Sequence, residues 1–516
     1  MKIDRTRLLT VGRAVVVGIL VGIVVSTFRW LVELILDQWR YVYHQLVVSP
    51  DKGFWLAGTI IAMILFTFIV GQIIKGDPNV NGSGIPQVEG LLAGQMTVNP
   101  FSVLWRKFTA GLLTIGSGAM LGREGPSIQL GAAVAQLYGE KRGFDSRNNK
   151  LMIAMGAAAG LSAAFGAPVA GTLFVLEEVY RTFSMLVWLG ALTSAVVADM
   201  VSVNVFGLTP VLSMTNLHNL PLVDYAWLPV LGILLGLFGY AYQRATLWAP
   251  NMFRWLKWLP RHYHFIVVFL LLIPVGIWAP QALGGGASLI LHDANFVPTI
   301  SVLVGLIILR FVYSTIAFGS GVPGGIFLPI LTLGALSGAL FGAVLVHFGL
   351  LAPVNVMNMM IVGMAGYFAS ISKAPFTAIV LIAEMVGSMT HLVAMAIVAL
   401  IAYLVVDFLG GEPIYESLLA RLRLPDQLSA LRGRLEEMTF VVAPGSALED
   451  AEVRQLQLPR GVLIQRIRRG SEEHLPNGDF ILQVGDELSL LTDEAQFKQV
   501  WTVMQDLNKE TEQQNG

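Results

Sequence analysis

The sequence predicts an all-α polytopic membrane protein with a small α/β cytoplasmic domain at its C-terminus. Three observations predict it. Of the 516 residues, 55% are hydrophobic and 13% charged, about half the charge a soluble domain carries. The charge is unevenly placed, since residues 431–516 hold 24 of the 67 Asp, Glu, Lys and Arg residues. The 62 residues from Phe311 through Ser372 contain none of the four, and no globular core hides a run that long.

The same numbers exclude several function classes. A net charge of −1 offers nucleic acid no basic face. The absence of cysteine excludes disulfides, thiol catalysis and thiolate metal sites. The eight histidines lack metal-ligand spacing. His262 and His264, the one close pair, sit beside Arg261 ahead of an apolar run, as interfacial anchors do. HExxH, GxSxG and a Walker lysine loop are missing, so no enzyme, cofactor or metal is expected. The filter sequence of potassium channels is missing too.

In chain order, apolar segments run over 14–36, 55–75, 103–120, 127–138, 151–160, 168–180, 184–206, 227–247, 263–280, 299–317, 327–349, 355–370, 375–389 and 392–409. A full crossing needs about 20 residues. Several segments are shorter and abut the clusters Gly82–Pro86, Gly122–Pro126, Gly166–Pro168, Gly319–Pro329 and Lys373–Pro375. Broken helices cannot face lipid with unpaired backbone groups. They are expected to point into a protein interior or an aqueous pocket, as transporter half-helices do. Lys2, Arg5, Arg7 and Arg13 precede the first segment, and Arg421, Arg423, Arg432 and Arg434 follow the last. The positive-inside rule then puts both ends in the cytoplasm, with an even number of crossings. No small-residue cleavage site ends the first apolar stretch, so it does not read as a clear signal peptide.

An internal repeat runs through the membrane part. Gly122-Arg-Glu-Gly-Pro126 precedes Leu130-Gly131-Ala132, and Gly325-Ile-Phe-Leu-Pro329 precedes Leu333-Gly334-Ala335 at the same spacing. Ala167-Pro168 lies nine residues before Glu177, and Ala374-Pro375 lies nine before Glu384. Two related halves, about 1–205 and 225–415, follow; hydropathy leaves their relative orientation open. Packing of small residues would explain the glycines but not the matched spacing. Gly82-Ser-Gly-Ile-Pro86 and Gly319-Ser-Gly-Val-Pro323 share a motif outside that register.

The broken segments suit anion chemistry. Glycine lets backbone approach a ligand, and proline in a first helical turn forfeits no hydrogen bond. A helix N-terminus offers unpaired N–H donors and partial positive charge. Several of them converging make an anion site without a fixed cation, which would hold the ion too tightly for turnover. Ser83 adds a hydroxyl donor, though ordinary N-capping is equally open to it. Glu124 puts a carboxylate where an anion would bind. Ionised, it occupies the site; protonated, it leaves, so one residue can gate the anion and carry a proton. Its alternative is a favourable charge at a helix start, paired with Arg123. Intramembrane carboxylates are costly and tend to be functional.

GSGIPQVEG (82–90), GREGPSIQLGA (122–132), GGIFLP (324–329) and GGEPIYESLL (410–419) resemble, in order and spacing, the signature segments of the CLC chloride channel and transporter family, across most of residues 10–420. The resemblance implies the CLC fold of two inverted repeats and a homodimer in which each subunit has its own anion pathway. It implies chloride ligation by the Ser83 and Tyr415 hydroxyls and the Ile326 and Phe327 amides, with Glu124 as external gate. It also places Glu178 where proton-coupled members carry an internal proton-transfer glutamate; a solvated helix end beside Arg181 is the other reading. Glu177 aligns with Glu384 in the repeat and reads as structural. Keeping both Glu124 and Glu178 favours chloride/proton antiport. The alternatives are a passive chloride channel of this fold or a carrier of another anion, fluoride or nitrate; Ser83 resembles chloride-type members. A carrier of organic solutes or cations would need polar ligands that the 311–372 run does not offer.

The expected plan is therefore a transport domain over 1–425, a linker over 426–435, a regulatory domain over 436–506 and a disordered tail over 507–516. In the tail, Met438–Val442, Gly461–Arg468, Phe480–Leu482 and Glu487–Leu491 read as strands and Asp493–Asp506 as a helix. The run from Phe440 to Leu491, with LPRGVLIQRIRRG and LPNGDFILQVGDELSLL, resembles the C-terminal (TrkA-C) domain of Trk-type potassium-uptake regulators. That implies dimerisation and regulation by a small ligand; a dimer-stabilising appendage without a ligand is the alternative. Arg466, Arg468 and Arg469 read equally as an anionic-ligand site or as a solvated strand face. Expected partners are chloride, protons, membrane lipid and a second copy of the chain, in the inner membrane of the cell.

Overall fold

The first apolar run becomes a helix longer than its hydropathy indicates: α1 spans Arg5–Val48 in a computed structural model. The structure describes residues 5–422 and 435–508, apart from 182, 215–216, 296, 457, 460–461, 471, 475 and 494–496. The expected linker 426–435 lies outside these residues except for Leu435, as do Lys2, Arg423, Arg432, Arg434 and the tail beyond Asn508. Two compact units divide the chain, Met1–Leu419 and Ala420–Gly516.

The first half continues with α2 (Lys52–Gly76), α3 (Ile85–Leu92), α4 (Pro100–Gly116), α5 (Glu124–Lys141), α6 (Ser146–Phe165), α7 (Pro168–Phe174) and α8 (Met185–Phe206). The second contains α9 (Leu228–Trp248), α10 (Ile266–Trp278), α11 (Ala287–Asn295), α12 (Ile300–Gly319), α13 (Phe327–His347), α14 (Val356–Ser372), α15 (Pro375–Val386), α16 (Leu392–Phe408) and α17 (Ile414–Leu422). Among the described residues, 8 helical stretches are long and apolar enough to cross a membrane. Three helices had no apolar segment to announce them: α3, α11 and α17 are 8 or 9 residues long and mix polar with apolar positions.

Equivalent helices meet equivalent partners in the two halves. The α5–α6, α6–α8 and α1–α8 contacts of the first half return as α13–α14, α14–α16 and α9–α16 in the second. Glycine sets the first of these contacts. A side chain at Gly131 would strike the Gly156 carbonyl, and one at Gly334 would lie 2.6 Å from the Gly363 carbonyl. Such close backbone approach is how helices pack where the surrounding lipid is as apolar as they are.

The halves also cap each other. Glu177 accepts from the Phe376 and Thr377 amides at 3.2 and 2.6 Å, at the start of α15. Glu384, on α15, accepts from the Val169 and Ala170 amides at 3.1 and 2.7 Å, at the start of α7. Each carboxylate satisfies orphan N–H groups at a positive helix end. An exchange of this kind is what a local two-fold axis produces, and the halves are inverted repeats. Glu177 is thus structural, as its alignment with Glu384 suggested.

In the C-terminal unit, β1 (Leu435–Val441), β2 (Leu463–Arg469), β3 (Glu472–His474) and β4 (Glu487–Asp493) form an antiparallel sheet in the order β1-β4-β2-β3. The helix α18 (Phe497–Leu507) packs on β1 and β4. Phe440, Ile467, Leu488, Leu490, Val500 and Met504 belong to the core between them. The expected strand Phe480–Leu482 is corrected to one bridge, Ile481 to Glu452. The Phe480 amide donates to the Asn477 carbonyl at 3.1 Å, so the Pro-Asn-Gly turn extends into that segment and β3 takes the sheet edge. Of the two readings for the arginines, the structure favours the solvated face. Arg466 donates to Ser489 at 3.0 Å, Arg468 pairs with Glu487, and Arg469 grips Asp486 with two bonds of 2.7 Å.

Candidate functional site

Three loops that precede helices are stitched together by their own backbones. Gly122 and Gly325 exchange hydrogen bonds of 2.6 and 2.7 Å as an isolated antiparallel bridge, which aligns the starts of α5 and α13. The Gly324 amide donates to the Gly82 carbonyl at 3.0 Å, and the Gly82 amide to the Gly321 carbonyl at 3.3 Å. Those bonds add the start of α3. Gly82 and Gly84 have φ of 60° and 99°, left-handed backbone that favours glycine. Gly125 packs directly on Ser83, where any side chain would displace the hydroxyl.

Buried polar groups gather here, two of them hydroxyls without partners among the described residues. Ser83, Glu124 and Tyr415 are at most 2% exposed, and neither hydroxyl has a hydrogen-bond partner among the described residues. An unsatisfied buried hydroxyl costs about 1–3 kcal/mol, so groups of this kind are retained where something else satisfies them. The Glu124 carboxylate lies over Gly122 beside the Leu328 amide in the first turn of α13. Ile326 is the N-cap of α13 and Phe327 its first residue, so both amides belong to the unpaired first turn. An aromatic shell closes the site: the Phe327 ring stands 5.5 Å from Phe174 and 4.6 Å from Phe368, and Phe174 stands 6.1 Å from Tyr415. Low dielectric around such a shell strengthens the pull of helix ends on a negative charge.

Glu178 sits on a single π-helical turn, Val175–Val179, that ends α7. Turns of this type often occur at functional sites. The residue is 3% exposed and its Oε1 has no hydrogen-bond partner among the described residues. This overturns the solvated-end reading. Arg181 Nη2 lies 4.0 Å from Glu178 and 3.9 Å from Glu89, while its Nη1 is held at 2.8 Å by Glu416. Tyr415 is within electrostatic reach of both Glu124 and Glu178.

Residues 58–407 match the voltage gated chloride channel family. The chain belongs to that family. It is 35% identical over 428 residues to the H(+)/Cl(-) exchange transporter ClcA of Vibrio parahaemolyticus, covering 80% of this chain and 90% of that protein. ClcA of Salmonella arizonae is 34% identical over 432 residues, covering 81% and 89%. Among solved structures, a slow cyanobacterial Cl-/H+ antiporter aligns with a TM-score of 0.74 at 30% identity, over 80% of this chain and 98% of that one. A eukaryotic CLC transporter shares the fold at a TM-score of 0.66 and 21% identity, over 80% and 74% of the two chains. Residues 438–500 match the TrkA-C domain.

The family signature segments drew attention to the loops but not to what holds them. Lys107, fully buried on α4, donates to the Val80 and Gly82 carbonyls at 2.9 and 2.7 Å. Thr114, on the same helix, donates to the Pro323 carbonyl at 2.6 Å. Arg310, fully buried on α12, donates to the Ala282 and Gly284 carbonyls, both at 2.8 Å. Each satisfies carbonyl oxygens of the loops that lead into the helix starts or pack beside them. A cation inside an apolar helix was the signal that could have found Arg310, which stands alone in α12, and Lys107, which follows Arg106 in α4.

Proposed function

We propose that this chain is a chloride/proton antiporter, with chloride held by the Ser83 and Tyr415 hydroxyls and by the amides of Ile326 and Phe327. The observation that carries the reading is two orphaned buried hydroxyls beside the Glu124 carboxylate, where three helix starts meet. The relatives named as H(+)/Cl(-) exchange transporters support it. Ionised Glu124 competes with the anion for the same donors. Once protonated it no longer needs them, and chloride takes its place. Glu178 exchanges the proton with the inner side, so that chloride and protons move in opposite directions.

The decisive measurement uses the protein in sealed vesicles. An imposed chloride gradient with the voltage clamped is expected to drive protons uphill. Chloride flux without proton movement would leave the passive channel. Glu124→Ala is expected to keep chloride flux and lose proton coupling, and a Glu124→Ala variant that still pumps protons sinks the gate assignment. To the same reading belong a homodimer with one pathway per subunit, an inner-membrane location with both termini in the cytoplasm, and small-ligand regulation through the TrkA-C domain. Cross-linking in native membranes and protease accessibility of the two ends from either side test the first two.

A further inference from the structure

We infer that Glu33 and Arg29 on α1 are positioning residues for the gate, setting through Arg123 the charge that Glu124 experiences. The inference rests on the reading of Glu124 as gate and names the side chains that tune it. Arg123 is the N-cap of α5, one residue before Glu124, and its Nη1 donates to Glu33 at 2.5 Å. Arg29, one helical turn before Glu33, donates to the same carboxylate oxygen at 3.3 Å. The Arg29 guanidinium also lies 3.8 Å above the Phe206 ring. One carboxylate therefore serves two guanidinium groups. The side chains of Arg29 and Arg123 are 11% and 10% exposed, that of Glu33 41%, and Glu124 not at all. The acid that balances the arginines is thus partly exposed, and the gate beside them is enclosed.

The other charged groups near this cluster are few. Asp199 on α8 is within electrostatic reach of Arg29. Glu384 on α15 is within reach of Asp199, and its oxygens are bound to the amides of α7. Lys107 on α4 is committed to carbonyls, α13 brings amides to the gate, and Tyr415 of α17 is within reach of Glu124. Removing Glu33 leaves the arginines uncompensated, and a more positive surrounding favours ionised Glu124 over its protonated form. Removing Arg29 does the reverse. Two substitutions on one helix should act with opposite sign, which a packing role would not do.

The test is chloride flux against pH in reconstituted vesicles. Glu33→Gln is expected to lower the pH of half-maximal flux by ~0.5–1 unit, and Arg29→Gln to raise it by a similar amount. Glu33→Asp, which keeps the charge, should restore the parental value. In a Glu124→Ala background neither substitution should move the profile. Unchanged profiles, shifts of the same sign from both variants, or shifts that persist in the Glu124→Ala background overturn the inference. If Glu33→Gln is not recovered folded, Arg29→Gln and Glu33→Asp decide: an upward shift for the first and none for the second supports it, and any other pattern overturns it. Proton coupling that survives Glu124→Ala alone is a separate failure, that of the gate reading.

Discussion

At the scale of single residues, the candidate site combines buried donors with side chains that bind the carbonyls of the surrounding loops. Lys107 shows the division of labour: its ammonium reaches the Val80 and Gly82 carbonyls on either side of Asn81, and Ser83 follows directly. Lys107→Met keeps the length and apolar stem and frees both carbonyls to turn toward the anion. Chloride affinity is expected to fall about tenfold, or ~1.4 kcal/mol, in a calorimetric chloride titration; an unchanged affinity would mean that the loop holds its shape without the lysine. Ser83, Glu124, Tyr415 and the 326–327 start could be proposed from the sequence because they stand in motif-bearing segments at helix starts. The Glu33–Arg123 pair could not. Its members are 90 residues apart, and nothing local in either segment points to the other.

At the scale of elements, hydropathy found the long helices and passed over α3, α11 and α17, whose 8 or 9 residues are too few to average into an apolar signal. The lost helix matters most at α17, since it presents Tyr415. The nine-residue spacing from Ala-Pro to Glu177 and to Glu384 disclosed that these acids are equivalent. It could not disclose that each would cap the helix of the other half, because spacing within a repeat says nothing about pairing between repeats. The exchanged caps make a symmetric prediction. Glu177→Gln and Glu384→Gln each keep an acceptor and lose the charge that favours a helix N-terminus, so each is expected to destabilise the protein by ~1 kcal/mol. Thermal unfolding in detergent checks this, and a loss from only one of the two would break the equivalence.

At the scale of the whole molecule, the membrane unit and the C-terminal unit have different chemistry. In the second, Asp486 is buried, which alone would raise its proton affinity. Its two bonds to Arg469 and one from the Gln483 amide outweigh that and hold it below the usual aspartate range. A carboxylate with a depressed folded-state value contributes stability above the ordinary aspartate value, about 3.9, and loses it as pH falls through the folded value. Protection of the β2 and β4 amides in the full chain, taken as exchange relative to the intrinsic rate at each pH, is expected to be high at neutral pH and to fall below about pH 4; Asp486→Asn should be less protected already at pH 7. The Gly122–Gly325 bridge bears on how the first unit can work at all. Its two bonds join one inverted repeat to the other at the point where the helix starts converge, and the Gly82 bonds and Thr114–Pro323 bond fasten the same seam. A carrier that exposed its cargo by rocking one half away from the other would have to unpick that seam in every cycle. The lower-energy moving part is a side chain turning within a fixed frame, so the frame is a stator, and under the proposed reading the alternation of access falls to Glu124.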